Sequence, residues 1–148
     1  MRNRMRMRKL GLLLILFCIT SISIAQSSAD ILGVWLTHDK GAKIEFYKSG
    51  DKYYGKLIWG NRVYEADGKT LRKDINNPDA SLRSRALLNT IFFKDFIYED
   101  GEYTGGTIYD SDSGKTYSGI IAVKDKKLHL TGYIGFTWLG KTVVWTRP

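Results

Sequence analysis

The residues with the clearest chemical potential lie in the polar stretch DINNPDASLRSR, residues 74–85. Its two arginines, Arg83 and Arg85, can bind an anionic group through charge-assisted hydrogen bonds. Asp74 can pair with one of these arginines or join them in a ligand site. The neighbouring segments are rich in Tyr, Trp, Ile, Thr and Gly, so this stretch is the first candidate for a binding site.

The same stretch carries the signals of a helix start. Asn77 is a good N-cap and Pro78 suits the first helical position, which predicts a short helix from Pro78 to about Leu87. On such a helix Arg83 and Arg85 would point about 200° apart, so they could not serve one patch. Leu82 and Ala86 would supply its apolar contacts.

Two interpretations of the stretch remain open. In one, an arginine pairs with Asp74 or Asp79 and the helix closes one end of the fold. In the other, Arg85 lies at the mouth of a cavity and meets the anionic group of a ligand.

Catalytic and metal-binding constellations are not evident in this sequence. His38 and His129 are isolated and lack the spacing of a zinc site. The segment 110–114, DSDSG, resembles the start of a calcium loop, but Ile121 stands where the twelfth-position Glu belongs. No cofactor or metal is predicted, and enzymatic activity is an open but unsupported possibility because Asp74 and Asp110 have no visible partner.

Aromatic residues are spread over every predicted strand, and most of them should fill the core. A subset could line an apolar cavity whose mouth carries polar or cationic groups, as in small-molecule sites. The predicted ligand contacts are Tyr109, Tyr117 and Tyr133, together with Asp74, Arg83 and Arg85.

The N-terminus predicts a signal peptide over residues 1–29. Residues 1–29 hold five basic residues and no acidic ones, and the basic residues are followed by an apolar run, residues 10–19, that is too short to span a bilayer. Cleavage after Ala25 or Ala29 is expected, and it lowers the formal net charge from +8 to +3. The basic pI then gives no argument for a nucleic-acid partner, and Cys18 leaves with the peptide. We expect a periplasmic or secreted protein.

From residue 30 onward the chain predicts one all-β domain, residues 30–148. Apolar and polar residues alternate in about eight segments joined by short turns, including the hairpin dipeptide Asp100-Gly101. Short connections favour an antiparallel up-and-down meander, which can hide its edges by closing into a barrel. An open sandwich is the alternative fold.

Several strings resemble the bacterial family known as domain of unknown function 2147. They are NPDASLRSR (77–85), GGTIYD (105–110), GKTYSG (114–119), GYIG (132–135) and WTR (145–147). The resemblance implies an exported, lipocalin-like barrel without an assigned biochemical role.

A looser similarity to lipocalins concerns the two ends of the domain. Gly33 and Trp35 match the Gly-x-Trp of their first strand, and Arg147 matches a basic residue that packs across that tryptophan. The implied role is structural, with a cation over an indole face at the barrel base. Structural roles are predicted for Gly33, Trp35, Asn77, Pro78, Trp145 and Arg147.

Together these features predict a lipocalin-like barrel that binds a small apolar or amphipathic ligand, with Arg85 or Arg83 meeting an anionic head. The alternative is a cell-envelope interaction module that has a filled barrel, binds a protein partner and holds no ligand. A cavity of about 300 Å³ or more would favour ligand binding over the filled barrel.

Overall fold

The structure is a computed structural model that describes residues 27–133 and 141–148. Nearly all of the predicted signal peptide, residues 1–26, lies outside the described residues. The described chain forms one antiparallel sheet of nine strands. The strands are β1 (Gly33–Leu36), β2 (Ala42–Ser49), β3 (Lys52–Gly60), β4 (Ile91–Glu99), β5 (Glu102–Thr104), β6 (Thr107–Asp110), β7 (Lys115–Lys124), β8 (Lys127–Tyr133) and β9 (Lys141–Trp145).

The strands follow one another around the sheet in nearly the order of the sequence. The main path runs β1-β2-β3-β4-β5-β7-β8-β9, and β6 fits between β4 and β7 beside β5. Leu36, at the end of β1, and Thr146, just after β9, exchange backbone hydrogen bonds of 2.8 and 3.2 Å. This bridge joins the first strand to the last, and the predicted all-β antiparallel meander is confirmed.

The strand count differs from the predicted eight because residues 102–110 form two strands. Gly105 adopts φ +71°, which interrupts the strand between β5 and β6. A Cβ on the next residue, Gly106, would lie 2.3 Å from the ring of Phe96. The two glycines therefore allow a sharp bend against a buried ring, where a longer side chain could not fit.

Side-chain alternation places the core inside the ring of strands. In β3, Tyr53, Gly55 and Leu57 are buried while the residues between them are more exposed. Consecutive side chains in a strand point to opposite faces, so these positions face inward. Phe93, Phe96 and Tyr103 join them in a continuous aromatic and aliphatic cluster.

At one end of the ring, Arg147 contacts β1 and the residues before it. The ring of Trp35 lies 3.8 Å from the guanidinium carbon of Arg147, whose nitrogens donate to the carbonyls of Val34 (3.1 Å) and Asp30 (2.9 Å). Gly33 has φ +97°, and a Cβ there would lie 3.2 Å from the Arg147 guanidinium. The arginine therefore ties the last residues of the chain to its first strand.

The predicted helix from Pro78 to Leu87 is wrong. The segment contains only a 3-10 turn, Ala80–Leu82, which is capped by the side chain of Asp79 rather than that of Asn77. Asn77 is buried, and its side chain bonds to Asp74 and to the backbone of Asp79 instead. Asn and Asp side chains compete in this way with helical backbone bonds. Leu82 is 36% exposed, so it does not anchor a helix on the core.

Within the described ranges, no helix has the length and apolar character needed to cross a bilayer.

Candidate functional site

A cavity of about 690 Å³ occupies the end of the ring opposite to Arg147. Its lining includes three connections that lie at this end: the β1–β2 turn, the long β3–β4 connection (residues 61–90) and the β6–β7 turn. His38 and Asp112 in these connections are exposed, whereas Ile44, Leu57 and Trp145 in the strands are buried. The connections therefore form the mouth and the strands form the inner wall.

Strand β9 shows how burial changes from the mouth to the interior. Lys141, Val143 and Trp145 all line the cavity, as alternate residues of one strand face should. Lys141 is exposed, Val143 is half-buried and Trp145 is 6% exposed. At about 3.4 Å per residue, Lys141 and Trp145 are roughly 14 Å apart along the strand.

The inner wall is apolar and aromatic. It suits a hydrocarbon or ring system because contact with these side chains removes apolar ligand surface from water. Its members are Ile44, Leu57, Phe92, Phe93, Ile108, Leu130, Val143 and Trp145.

The carboxylates at the mouth are bonded to nearby protein donors. Asp39 accepts from Thr37 Oγ1 (2.6 Å) and the Gly41 N–H (3.0 Å), and these bonds, the Thr37 bond first, lower the pKa of Asp39. Asp110 accepts from Ser113 Oγ at 2.6 Å and from the backbone N–H of Asp112. The carboxylate of Asp112 accepts a hydrogen bond from Nη2 of Arg62 at 3.1 Å.

The cations at the mouth are less fully satisfied. Arg62 forms the exposed ion pair with Asp112, and Arg72 donates to the backbone carbonyl of Arg62 at 3.3 Å. Within residues 27–133 and 141–148, neither Arg72 nor Lys141 has a carboxylate partner. These two side chains are therefore available to an anionic group at the mouth.

A buried carboxylate supports the wall from behind. Asp74 is fully buried and accepts from Tyr109 Oη (2.5 Å), Asn77 Nδ2 (2.8 Å) and both Nε and Nη2 of Arg85 (3.0 and 2.7 Å). The same Tyr109 lines the cavity. Asp74 thus fixes a cavity side chain from the protein side.

The electrostatics of this network favour an ionised Asp74. Burial alone would raise the pKa of Asp74, but the hydrogen bonds from Tyr109, Asn77 and Arg85 and the charge of Arg85 outweigh it and lower that pKa. Burial and the bond to Asp74 raise the pKa of Tyr109 to about 12. Tyr109 therefore stays protonated across the neutral pH range and donates a hydrogen bond to the carboxylate of Asp74.

The structure separates the ligand contacts predicted from the sequence into two groups. Tyr109 and Tyr117 line the cavity, whereas Asp74, Arg83 and Arg85 are not among its lining residues. Arg83 donates its Nε–H to the Asn77 carbonyl at 2.7 Å. Tyr133 ends β8, and its side chain lies outside the described part of the chain.

Arg72 and Lys141 were missed by sequence reasoning. Lys141 starts a strand whose alternate residues face inward, so its position could have been inferred from the alternation. Arg72 lies in the long β3–β4 connection, where no periodic pattern predicts orientation. Only the folded path of that connection brings it to the cavity.

The described residues contain no group of three or more His, Cys, Asp or Glu side chains placed to hold a metal ion. His38 and Asp110 both line the cavity, but Asp74 is buried in its own network and is not part of that lining. Hydrolytic chemistry would need Asp74, Asp110 and a histidine in one cleft. The structure does not bring these three side chains together.

Comparisons with known proteins confirm the predicted family and the lipocalin-like fold. The sequence profile of a family described as uncharacterized protein conserved in bacteria (DUF2147) matches residues 33–147. The solved structure of protein HP1028 from the human pathogen Helicobacter pylori, described as belonging to the lipocalin family, is 30% identical with a TM-score of 0.68. The match covers 80% of this chain and 82% of that one. No match is found among curated proteins.

Proposed function

The chain belongs to the bacterial family DUF2147, and from this premise and its lipocalin-like fold we propose that it is an exported protein that binds a small amphipathic ligand. The observation that carries the proposal is the cavity of about 690 Å³ with an apolar inner wall. Ligand pockets measure about 300–1,000 Å³ and combine apolar linings with a few polar groups. The cavity has both properties.

The proposed ligand enters with its apolar part first and leaves an anionic head at the mouth. Arg72 and Lys141 lack carboxylate partners in the described chain, so they can meet this head. The aromatic rings of Tyr109 and Tyr117 would contact the ligand body. In this proposal Arg85 acts indirectly, because it donates two hydrogen bonds to Asp74 and Asp74 in turn accepts from Tyr109.

Export rests on the N-terminal sequence, with its basic residues followed by a short apolar run. A periplasmic or secreted location would bring the protein into contact with lipids, their breakdown products and external small molecules. The competing function, an envelope interaction module, was predicted to have a filled barrel, and the cavity favours ligand binding over it.

The first test is native mass spectrometry of the mature protein purified from its bacterial envelope fraction, compared with its denatured mass. We expect an adduct that denaturation releases. A native mass equal to the denatured mass in repeated preparations, together with no binding of dodecanoate in solution, would contradict the proposal and favour a protein partner.

The second test replaces the mouth cations. Arg72→Ala and Lys141→Ala should each weaken dodecanoate binding roughly two- to fivefold at low salt, since exposed charge pairs contribute modestly and are screened by ions. Lys124→Ala is the matched control, because this exposed lysine ends β7 at the opposite end of the ring. Equal affinities in all variants, measured by titration calorimetry, would show that no anionic head lies at the mouth.

A further inference from the structure

The two described tryptophans of the core differ in how their indole N–H groups are satisfied. Trp35 is 1% exposed and donates its Nε1–H to the Ile31 carbonyl at 2.7 Å. Trp145 is 6% exposed, and its Nε1 is the one buried side-chain nitrogen or oxygen of the described residues without a hydrogen-bond partner. Buried polar groups without a partner are rare in folded proteins, so this one requires an explanation.

The position of Trp145 provides that explanation. Its side chain lines the cavity, about 14 Å along β9 from Lys141 at the mouth. The surrounding wall is supplied by Phe93, Leu130 and Val143, none of which has a side-chain acceptor. Since no residue of the described ranges accepts a hydrogen bond from Nε1, a molecule that fills the cavity is one source of the missing acceptor.

We infer that the ligand carries a neutral hydrogen-bond acceptor at the end that enters the barrel first, and that Trp145 Nε1–H donates to it. The inference rests on the proposed function and adds a chemical class to it: amphipathic molecules with a carbonyl, ester or ether oxygen at the inner end. A charged acceptor is excluded at this depth because an anion would lack a counter-charge among apolar side chains. Nε1 is itself shielded from solvent, so the indole must tilt slightly as the acceptor binds.

The competing explanation lies within the protein. The rings of Trp145 and Phe93 are nearly perpendicular, with centroids 5.6 Å apart. An N–H directed at an aromatic face makes a weak bond that would partly satisfy the indole without any ligand. The experiment must therefore separate a ligand acceptor from this ring contact.

Two probes make the separation. Dodecanoate and the monomethyl ester of dodecanedioate both carry one carboxylate and a long apolar chain, but only the second has an acceptor at its far end. The native protein should bind the ester roughly three- to tenfold more tightly than dodecanoate, as one neutral hydrogen bond allows. In Trp145→Phe this preference should disappear. Trp59→Phe is the control, because Trp59 is 46% exposed and does not line the cavity.

The outcomes distinguish the inference from the function on which it rests. If neither probe binds the native protein, the proposed ligand-binding function fails. If both bind but the native protein shows no preference, or Trp145→Phe keeps it, only the Trp145 inference fails and the Phe93 contact accounts for the N–H. If Trp145→Phe does not fold, the indole ¹H–¹⁵N resonance of the native protein decides: a downfield shift with the ester alone supports the inference, and identical spectra overturn it.

Discussion

At the scale of single residues, Asp74 shows how a charge can be buried without serving as a ligand site. Its two carboxylate oxygens accept four hydrogen bonds from three side chains, and one of the donors, Arg85, is cationic. Removing one member of a buried ion pair leaves the other members without partners, which costs more than the pair itself contributes. Asp74 should therefore contribute substantially to stability although it does not line the cavity.

The replacement Asp74→Asn should lower the free energy of unfolding at pH 7 by about 2–3 kcal/mol, because an amide cannot accept all four bonds and leaves Arg85 without a counter-charge. The folded-state pKa of Asp74 is lowered, so its contribution is present above the unfolded-state pKa of about 4 and is lost as pH falls through the folded-state value. The difference between the two proteins in urea unfolding should consequently shrink below pH 4.

Asp51→Asn is the matched control for this experiment. Asp51 is exposed in the β2–β3 turn, so its replacement should leave stability unchanged at every pH. A constant difference between native protein and Asp74→Asn from pH 7 to pH 3 would show that the ionised carboxylate is not the stabilising form.

At the scale of elements, the long β3–β4 connection is held against the β6–β7 turn. The side-chain amide of Asn76 donates to the carbonyls of Ser111 (3.1 Å) and Asp112 (3.0 Å). Gly114 closes that turn with φ +70°, and a Cβ there would lie 2.0 Å from the Asn76 carbonyl oxygen. The connection and the turn both line the mouth, so their contact shapes the entrance.

We expect Gly114→Ala to be far more harmful than Gly50→Ala. Both glycines have positive φ, +70° and +59°, but a Cβ on Gly50 meets nothing within 4 Å. Gly50→Ala should cost only the backbone strain, about 1–2 kcal/mol, whereas Gly114→Ala should cost roughly 1–3 kcal/mol more because the connection must move. Urea unfolding of both variants measures the difference, and equal losses would show that the connection is not docked on the turn.

The elements also show what the sequence could and could not predict. Alternation and the Asp100-Gly101 hairpin predicted the strands except for the break within residues 102–110, because a two-residue period and a turn with positive φ are local properties. Asp100 and Gly101 indeed have φ of 50° and 85°. The helix prediction failed because Asn77 bonds to Asp74 and to the backbone of Asp79 instead of capping a helix. Asp74 is itself held by Tyr109 of β6, a contact between distant parts of the sequence that only the fold forms.

At the scale of the whole molecule, the candidate site combines parts that are distant in sequence. Tyr109 and Tyr117 could be proposed from aromatic composition and alternation. Arg72 could not, because a connection without periodicity reaches the mouth only through long-range contacts such as those of Asn76. The cavity volume is the space enclosed by the ring of strands minus the volume of the side chains that point into it. No local sequence pattern predicts this difference.

The two ends of the ring should control different properties. Arg147→Ala removes the contact with Trp35 and the bonds to the Val34 and Asp30 carbonyls. It should lower the free energy of unfolding by about 1–2 kcal/mol, a modest value because the arginine is partly exposed to water. Its affinity for dodecanoate should match that of the native protein, because the cavity opens at the other end.

Lys141→Ala should show the reverse, with weaker dodecanoate binding and unchanged urea unfolding, because Lys141 is exposed and has no ion-pair partner among the described residues. Measured together, the two variants test whether one end of the ring of strands stabilises the fold while the other receives the ligand. Loss of affinity in Arg147→Ala equal to that in Lys141→Ala, at a temperature where both proteins stay folded, would contradict this division. Ligand binding would then depend on the contacts of Arg147 as well as on the mouth.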